Sequence, residues 1–218
     1  MKNTDNTSAA YPPFKNEAIN KLYELLFCDN PQIFNNSNDV NTTYPWNILL
    51  IDPLNTADLF NITQDPSLES RTKLLAYYLL RKHGEKIQTK ELLGVVIEVA
   101  LEEGLDVLAA YHDGTARYIN YSEKVILLED SQEQSNELIQ ILFEKSNQVI
   151  NQIGPWNQDR LPYPDTGQVR LSFLVSDGLY FGQGPINQLF QDPMGGPVLE
   201  TASQLMSYLI ELNESSTH

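Results

Sequence analysis

The pair Asp113-Gly114 most constrains what this chain can fold into. A two-residue type I′ turn needs positive φ at both central positions, and Asp-Gly between alternating apolar runs is a strong hairpin signal. Such runs stand on both sides. Leu92–Leu101 is rich in Val and Ile, with Val95, Ile97, Val99 and Leu101 alternating onto one face. Glu102-Glu103-Gly104 turns it into Leu105–His112. Thr115–Tyr121 follows the Asp-Gly turn, and Ser122-Glu123 leads into Lys124–Glu129. Connections this short force antiparallel neighbours, so Glu91–Asp130 reads as a four-stranded meander.

A second hairpin is written in Val169, Leu171, Phe173 and Val175, with Asp177-Gly178 turning into Leu179–Gly182. The expected fold is α+β, with one mainly antiparallel sheet of about six strands, a meander plus a hairpin. Two long helices supply one covering layer. Ser131 and Gln134 form a capping box for a helix carrying Leu138, Ile141, Leu142, Val149 and Ile150, stopped by Gly154-Pro155. The last helix opens at Pro197 and carries Leu199, Ala202, Leu205, Met206, Leu209 and Ile210 at helical spacing. The other face of the sheet is expected to hold Val96, Leu108, Ala110, Tyr118, Ile126, Leu128 and Leu174. Such a face is too apolar to stand bare. The N-terminal helices are its cheapest cover, and a partner or a second copy of the chain is the alternative.

The expected organisation is a flexible tail at 1–12, an N-terminal helical region at 13–90, the α+β core at 91–212 and a frayed end at 213–218. Phe14, Ala18, Leu22, Leu25 and Leu26 predict an amphipathic helix over 14–27, followed by a polar loop at 29–44. The run 46–51 between Pro45 and Pro53 fits either a buried strand or a single helical turn. Asp65 as N-cap, Pro66 at the first helical position and Arg81, Lys82 and His83 before Gly84 predict one further helix.

With 14 basic and 29 acidic residues the net charge is -15. Such a surface repels phosphate backbones and anionic lipid, which argues against nucleic acid and membrane partners; a basic protein face is allowed, although acidity most simply serves solubility. Met1–Ala10 is polar, without the apolar core of a signal peptide. The expected location is therefore the cytoplasm.

Catalytic constellations are missing from the sequence. Cys28 is the single cysteine, and the three histidines stand alone, so no metal and no cofactor is expected. A Cys28–His112 dyad has nothing to select it. Ser176 lies in a turn, where Ser is expected for turn chemistry alone. Gly195-Gly196 before a helix could hold an anion, but no Lys or Arg accompanies it, and a sharp turn into the helix explains both glycines. Glu98 and Arg170 are lone charges in apolar strands. Glu98 either faces solvent or pairs with Arg117 on a neighbouring strand, and a buried pair with an arginine marks a site candidate.

Two segments have binding character. Pro155–Gly167 holds Trp156, Arg160 and Tyr163, and Gly182–Gly196 holds Gln183, Asn187, Phe190 and Met194. Aromatic, Arg and Met side chains on irregular loops suit interaction surfaces, and suit packing a loop onto its own domain equally well. Three functional readings follow: a non-catalytic protein-interaction module, a small-molecule-binding domain or hydrolase with its pocket near 182–196, and a structural homo-oligomer. No motif is specific enough to assign a family.

Overall fold

The structure, a computed structural model, describes residues 12–34, 43–130 and 132–215. Residues 1–11 of the expected tail, 35–42 of the expected loop, Ser131 of the expected capping box and the last three residues lie outside them.

Six strands form one sheet: β1 (Leu92–Ala100), β2 (Leu105–Tyr111), β3 (Ala116–Ile119), β4 (Val125–Leu128), β5 (Gln168–Val175) and β6 (Gly178–Pro185). Their order is β4-β3-β2-β1-β5-β6, and every neighbouring pair is antiparallel. The meander and the hairpin thus join along β1 and β5, giving the expected α+β fold. The Asp113-Gly114 turn differs from the expected type I′. Gly114 alone takes positive φ (87°), and Tyr111 N–H donates to Thr115 O. These contacts close a three-residue loop with a bulge at the glycine, which needs one left-handed residue rather than two. The β3–β4 connection repeats the device without glycine, using Glu123 at φ 68°.

Helices cover both faces. On one lie α5 (Glu133–Ile150) and α7 (Gly195–Ser215), which continues past Leu212, where fraying was expected. Gln132 N–H donates to the Ser135 hydroxyl at the start of α5, one residue on from the expected cap. On the opposite face lies the N-terminal layer: α1 (Glu17–Leu25), a 3-10 turn at Pro31–Phe34, α2 (Trp46–Leu49), α3 (Thr56–Gln64) and α4 (Ser70–Lys82). The 46–51 ambiguity resolves as a helical turn. The helix expected from Asp65 begins instead at Ser70. Asp65 ends α3 and folds back to accept the Ser67 N–H and hydroxyl. A cap for α4 arrives from far along the chain, because Asp113 Oδ2 accepts the Ser70 N–H at 2.7 Å.

Cross-strand register decides which side chains share a face. The β1–β2 turn pairs Val95 with Ala110 and Ile97 with Leu108. Odd positions of β1 therefore share a face with even positions of β2, and the expectation that carried even numbering through the turn fails. Leu108, Ala110, Tyr118, Ile126 and Leu128 join Val95, Ile97 and Leu171 under α5 and α7. Val96 and Leu174 do lie on the other face, with Val107, Ala109, Tyr111 and Ile119 beneath the N-terminal layer. Tyr23, Leu26, Leu59, Ile62, Leu75 and Leu80 of that layer are at most 2% exposed. Burial contributes about 1.5–3 kcal/mol for each large apolar side chain, so the layer is integral to the core.

Candidate functional site

A cleft of about 660 Å³ opens where the N-terminal layer meets the β5–β6 turn. Phe27 to Asn30 form one wall, Leu74, Tyr78, Arg81 and Lys82 of α4 another, and Leu174, Val175 and Asp177 to Leu179 a third. Residues 155–160 form the rim. The chain is pinned there because Trp156 N–H donates to Leu179 O at 2.6 Å, outside the last turn of the hairpin. The Trp156 indole N–H donates to Asp159 O, and its ring stands edge-on to Phe181 at 5.2 Å. These contacts hold a half-buried aromatic ring in a fixed pose beside the opening.

Arg160 closes the rim onto α1. Its guanidinium lies over the Phe27 ring at 3.8 Å, donates to Asp29 Oδ2 at 2.8 Å and pairs with Glu24. Two carboxylates and an aromatic face on one largely buried guanidinium make this clasp stronger than a single exposed ion pair. Lys82, at the end of α4, reaches Asp159 at 3.7 Å across the same opening.

Trp156 and Arg160 both line the cleft. Tyr163 lies behind Arg160, in a separate hollow of about 330 Å³ with Pro12, Tyr23 and Ile33. The other four expected site residues do not line the cleft. The stretch 182–196 is not the loop its Gly and Pro content implied. Strand β6 continues to Pro185, α6 (Ile186–Gln191) follows, and α7 begins at Gly195. Gln183 holds Arg170 Nε at 2.9 Å, Asn187 and Phe190 are exposed on α6, and Met194 packs against the α5–α7 core. Sequence reading missed Glu24, Asp29, Arg81 and Asp177. The available signal was Arg160 itself, the one cation of its segment, which needs carboxylates from elsewhere.

Behind the cleft lies a fully buried charge. Glu98 is 0% exposed in the middle of β1. It accepts the Tyr23 hydroxyl at 2.6 Å, and its second oxygen lies 3.6 Å from Arg170 Nη1 with no hydrogen-bond partner among the described residues. The expected partner, Arg117, is on β3 with β2 between, and pairs instead with Glu129 at 2.8 Å. Arg170 sits directly opposite Glu98 on β5 and spends its other N–H groups on Gln183 and the Leu161 carbonyl. Burial raises the Glu98 carboxyl above the usual carboxylate range, against the pull of the Tyr23 hydrogen bond and Arg170. Burial, then the Glu98 charge, pushes the Tyr23 phenol well above its ordinary value. Glu98 does not line the cleft, so this pair ties α1 to the sheet rather than meeting a ligand.

The nucleophile candidates are enclosed or already engaged. Cys28 is 1% exposed, and burial pushes its thiol up to about 12. His112 stacks edge-on against Phe143 of α5, on the opposite side of the sheet from Cys28, so the two form no dyad. The Ser176 hydroxyl donates to Thr89 O and accepts Glu91 N–H. At the start of α7, Asp192 Oδ1 accepts the N–H groups of Met194 and Gly195, taking the place an anion would occupy. A Cβ on Gly196 would stand 2.6 Å from Phe190 O, so the glycine answers to a close approach of backbone. No group of three or more metal-ligating side chains occurs among the described residues. Comparison with family models, with curated proteins and with solved structures finds no match.

Proposed function

We propose that this chain is a non-catalytic protein-interaction module that seats a short segment of a protein partner in the cleft beside Trp156. The pre-set indole carries the reading. Trp is the side chain most often found anchoring interfaces, and one held by two hydrogen bonds and a ring contact loses little further entropy on binding. The enclosed Cys28 thiol and the engaged Ser176 hydroxyl support a binding role over a covalent one. The net charge of -15 and the fully exposed Asp159 on the rim favour a partner segment with basic residues flanking an apolar one. On this reading the chain works in the cytoplasm, a setting that suits a single unpaired cysteine.

Affinity capture from the native host with mass spectrometry tests the reading, using wild type, Trp156→Ala and, as a surface control on α6, Phe190→Ala. A partner is expected with wild type and Phe190→Ala and lost with Trp156→Ala. Equal recovery by Trp156→Ala would remove the cleft from consideration. A volume of about 660 Å³ also falls in the range of small-molecule sites. Thermal stabilisation by a metabolite or nucleotide, abolished in Trp156→Ala, would replace the protein partner with that ligand.

A further inference from the structure

We infer that two copies of this chain pair edge to edge through β4, antiparallel about a two-fold axis at Leu127. Asn120 N–H donates to Lys124 O at 3.0 Å, which makes 120 and 124 a hydrogen-bonded pair. Such pairs alternate along an antiparallel ladder, so Tyr118 with Ile126 and Ala116 with Leu128 are also bonded. Val125, Leu127 and Glu129 then point their N–H and C=O groups away from β3, at the open edge of the sheet. No described residue hydrogen-bonds to those groups.

The two edges of the sheet are treated differently. At β6, Trp156 takes the Leu179 carbonyl, Gly182 and Gly184 weaken the strand, and Pro185 ends it. Those are devices that block edge pairing. Strand β4 reads Val-Ile-Leu-Leu, with neither proline nor charge inside it, and its Leu127 is 52% exposed. At four residues β4 is short, but its outward N–H and C=O groups and exposed Leu127 leave an edge that a second strand can extend.

Register selects a second copy as the occupant. A two-fold axis normal to the sheet keeps each helical layer on its own side, so paired residues must share a face and outward groups must meet outward groups. With the axis at Leu127, Leu127 faces Leu127 and Val125 faces Glu129, giving about six new main-chain hydrogen bonds. Ile126 then meets Leu128, and Lys124 of each copy stands opposite Asp130 of the other. Of the other two-fold axes, one at Val125 places Lys124 opposite Ile126, one at Ile126 brings Glu123 against Glu129, and one at Leu128 places Asp130 opposite Ile126, so none sets opposite charges face to face. Lys124 and Asp130 are both exposed, and the Leu127 axis puts opposite charges face to face twice.

Light scattering during size exclusion at about 100 µM protein and 150 mM salt tests this, with sedimentation equilibrium for Kd. Wild type is expected at twice 24.7 kDa. Leu127→Lys, at an exposed position, is expected at the monomer mass with an unchanged circular dichroism spectrum. Asp130→Lys should weaken the dimer about tenfold, and the swap Lys124→Asp with Asp130→Lys should restore it. A monomeric wild type, a Leu127→Lys variant that stays dimeric, or a swap no tighter than Asp130→Lys would each overturn the proposal. The swap keeps the test decisive even if Leu127→Lys fails to fold.

Discussion

Replacing Glu98 by Ala removes the buried carboxylate through which α1, β1 and β5 meet, and the structure sets the expected loss. The Tyr23 hydroxyl, fully buried, loses its acceptor, which costs about 1–3 kcal/mol. Arg170, 4% exposed, loses its carboxylate. Removing one partner of a buried ion pair costs about 3–5 kcal/mol. The second figure is reduced here, because the pair is 3.6 Å apart and Arg170 keeps Gln183 and the Leu161 carbonyl. The two losses also overlap, so the expected total is about 4 kcal/mol. In a domain of this size that lowers Tm by roughly 8–16 °C. Glu98→Gln keeps an oxygen for Tyr23 and deletes a charge that burial disfavours, so it should cost about 1–2 kcal/mol.

The pH dependence separates burial from ion pairing. Because burial raises the Glu98 carboxyl in the folded state, its protonated form is favoured there. Its contribution is fully present below the unfolded value of about 4.3 and is lost as pH rises through the higher folded value. Wild type suffers that loss and Glu98→Gln does not. The deficit of Glu98→Gln should therefore narrow as pH rises above about 4.3, measured by urea unfolding with circular dichroism and tryptophan fluorescence. A deficit that widens over this window would show that Arg170 holds the carboxyl below its usual range, and the account of the network would be wrong. So would a loss under about 1 kcal/mol for Glu98→Ala.

Asp113→Ala should behave in the opposite sense. Burial opposes the Asp113 charge, but hydrogen bonds from Ser70 and Thr115 outweigh it and hold the carboxyl below its usual range. Its stabilisation is present above the unfolded value and is lost as pH falls through the folded one, so the deficit of about 1–2 kcal/mol should shrink in acid. Thermal melts across pH check this, and a neutral-pH loss below about 0.5 kcal/mol would deny the cap its role. Cys28, its thiol pushed up to about 12, should resist Ellman's reagent in native protein at about pH 8 and react once urea unfolds the chain. Rapid labelling of native protein would mean that the N-terminal layer opens.

The meander was legible because its signals are local: alternation in β1 and β2, and turn residues at Asp113-Gly114. What failed lay where two local readings are equally good or where a distant residue decides. Asp65-Pro66 satisfies the rule for a helix start, yet the same aspartate closes a turn after α3, and the capping carboxylate for α4 is Asp113. Helix α3 went unforeseen, although Asn55 caps it through the Ala57 N–H, because its nine residues carry only a short apolar pattern in Leu59, Phe60 and Ile62. Glycine and proline hid α6. At the cleft, Trp156 and Arg160 were visible as an aromatic and a lone cation on an irregular segment. Glu24 and Asp29 were not, since nothing near them in sequence says which cation they meet.

Glu98 and Arg170 show how far such reasoning can reach. Each is the single charge in a strand buried on both faces. A charge in that position needs an opposite charge within a few ångströms, because burial without one costs several kcal/mol. A strand interior has two neighbours to supply it. The hairpin turn at 102–104 fixes β2 as one neighbour of β1 and places Val107 beside Glu98, which offers no charge. The compensating residue must come from the other neighbour or from a covering layer, and Arg170 is the lone cation in the remaining apolar hairpin. The pair therefore implies that β5 lies against β1 with Glu98 opposite Arg170, the register the sheet adopts. The Tyr23 hydroxyl, reaching in from α1, could not have been foreseen this way, because a tyrosine on an amphipathic helix carries no unmet charge to trace.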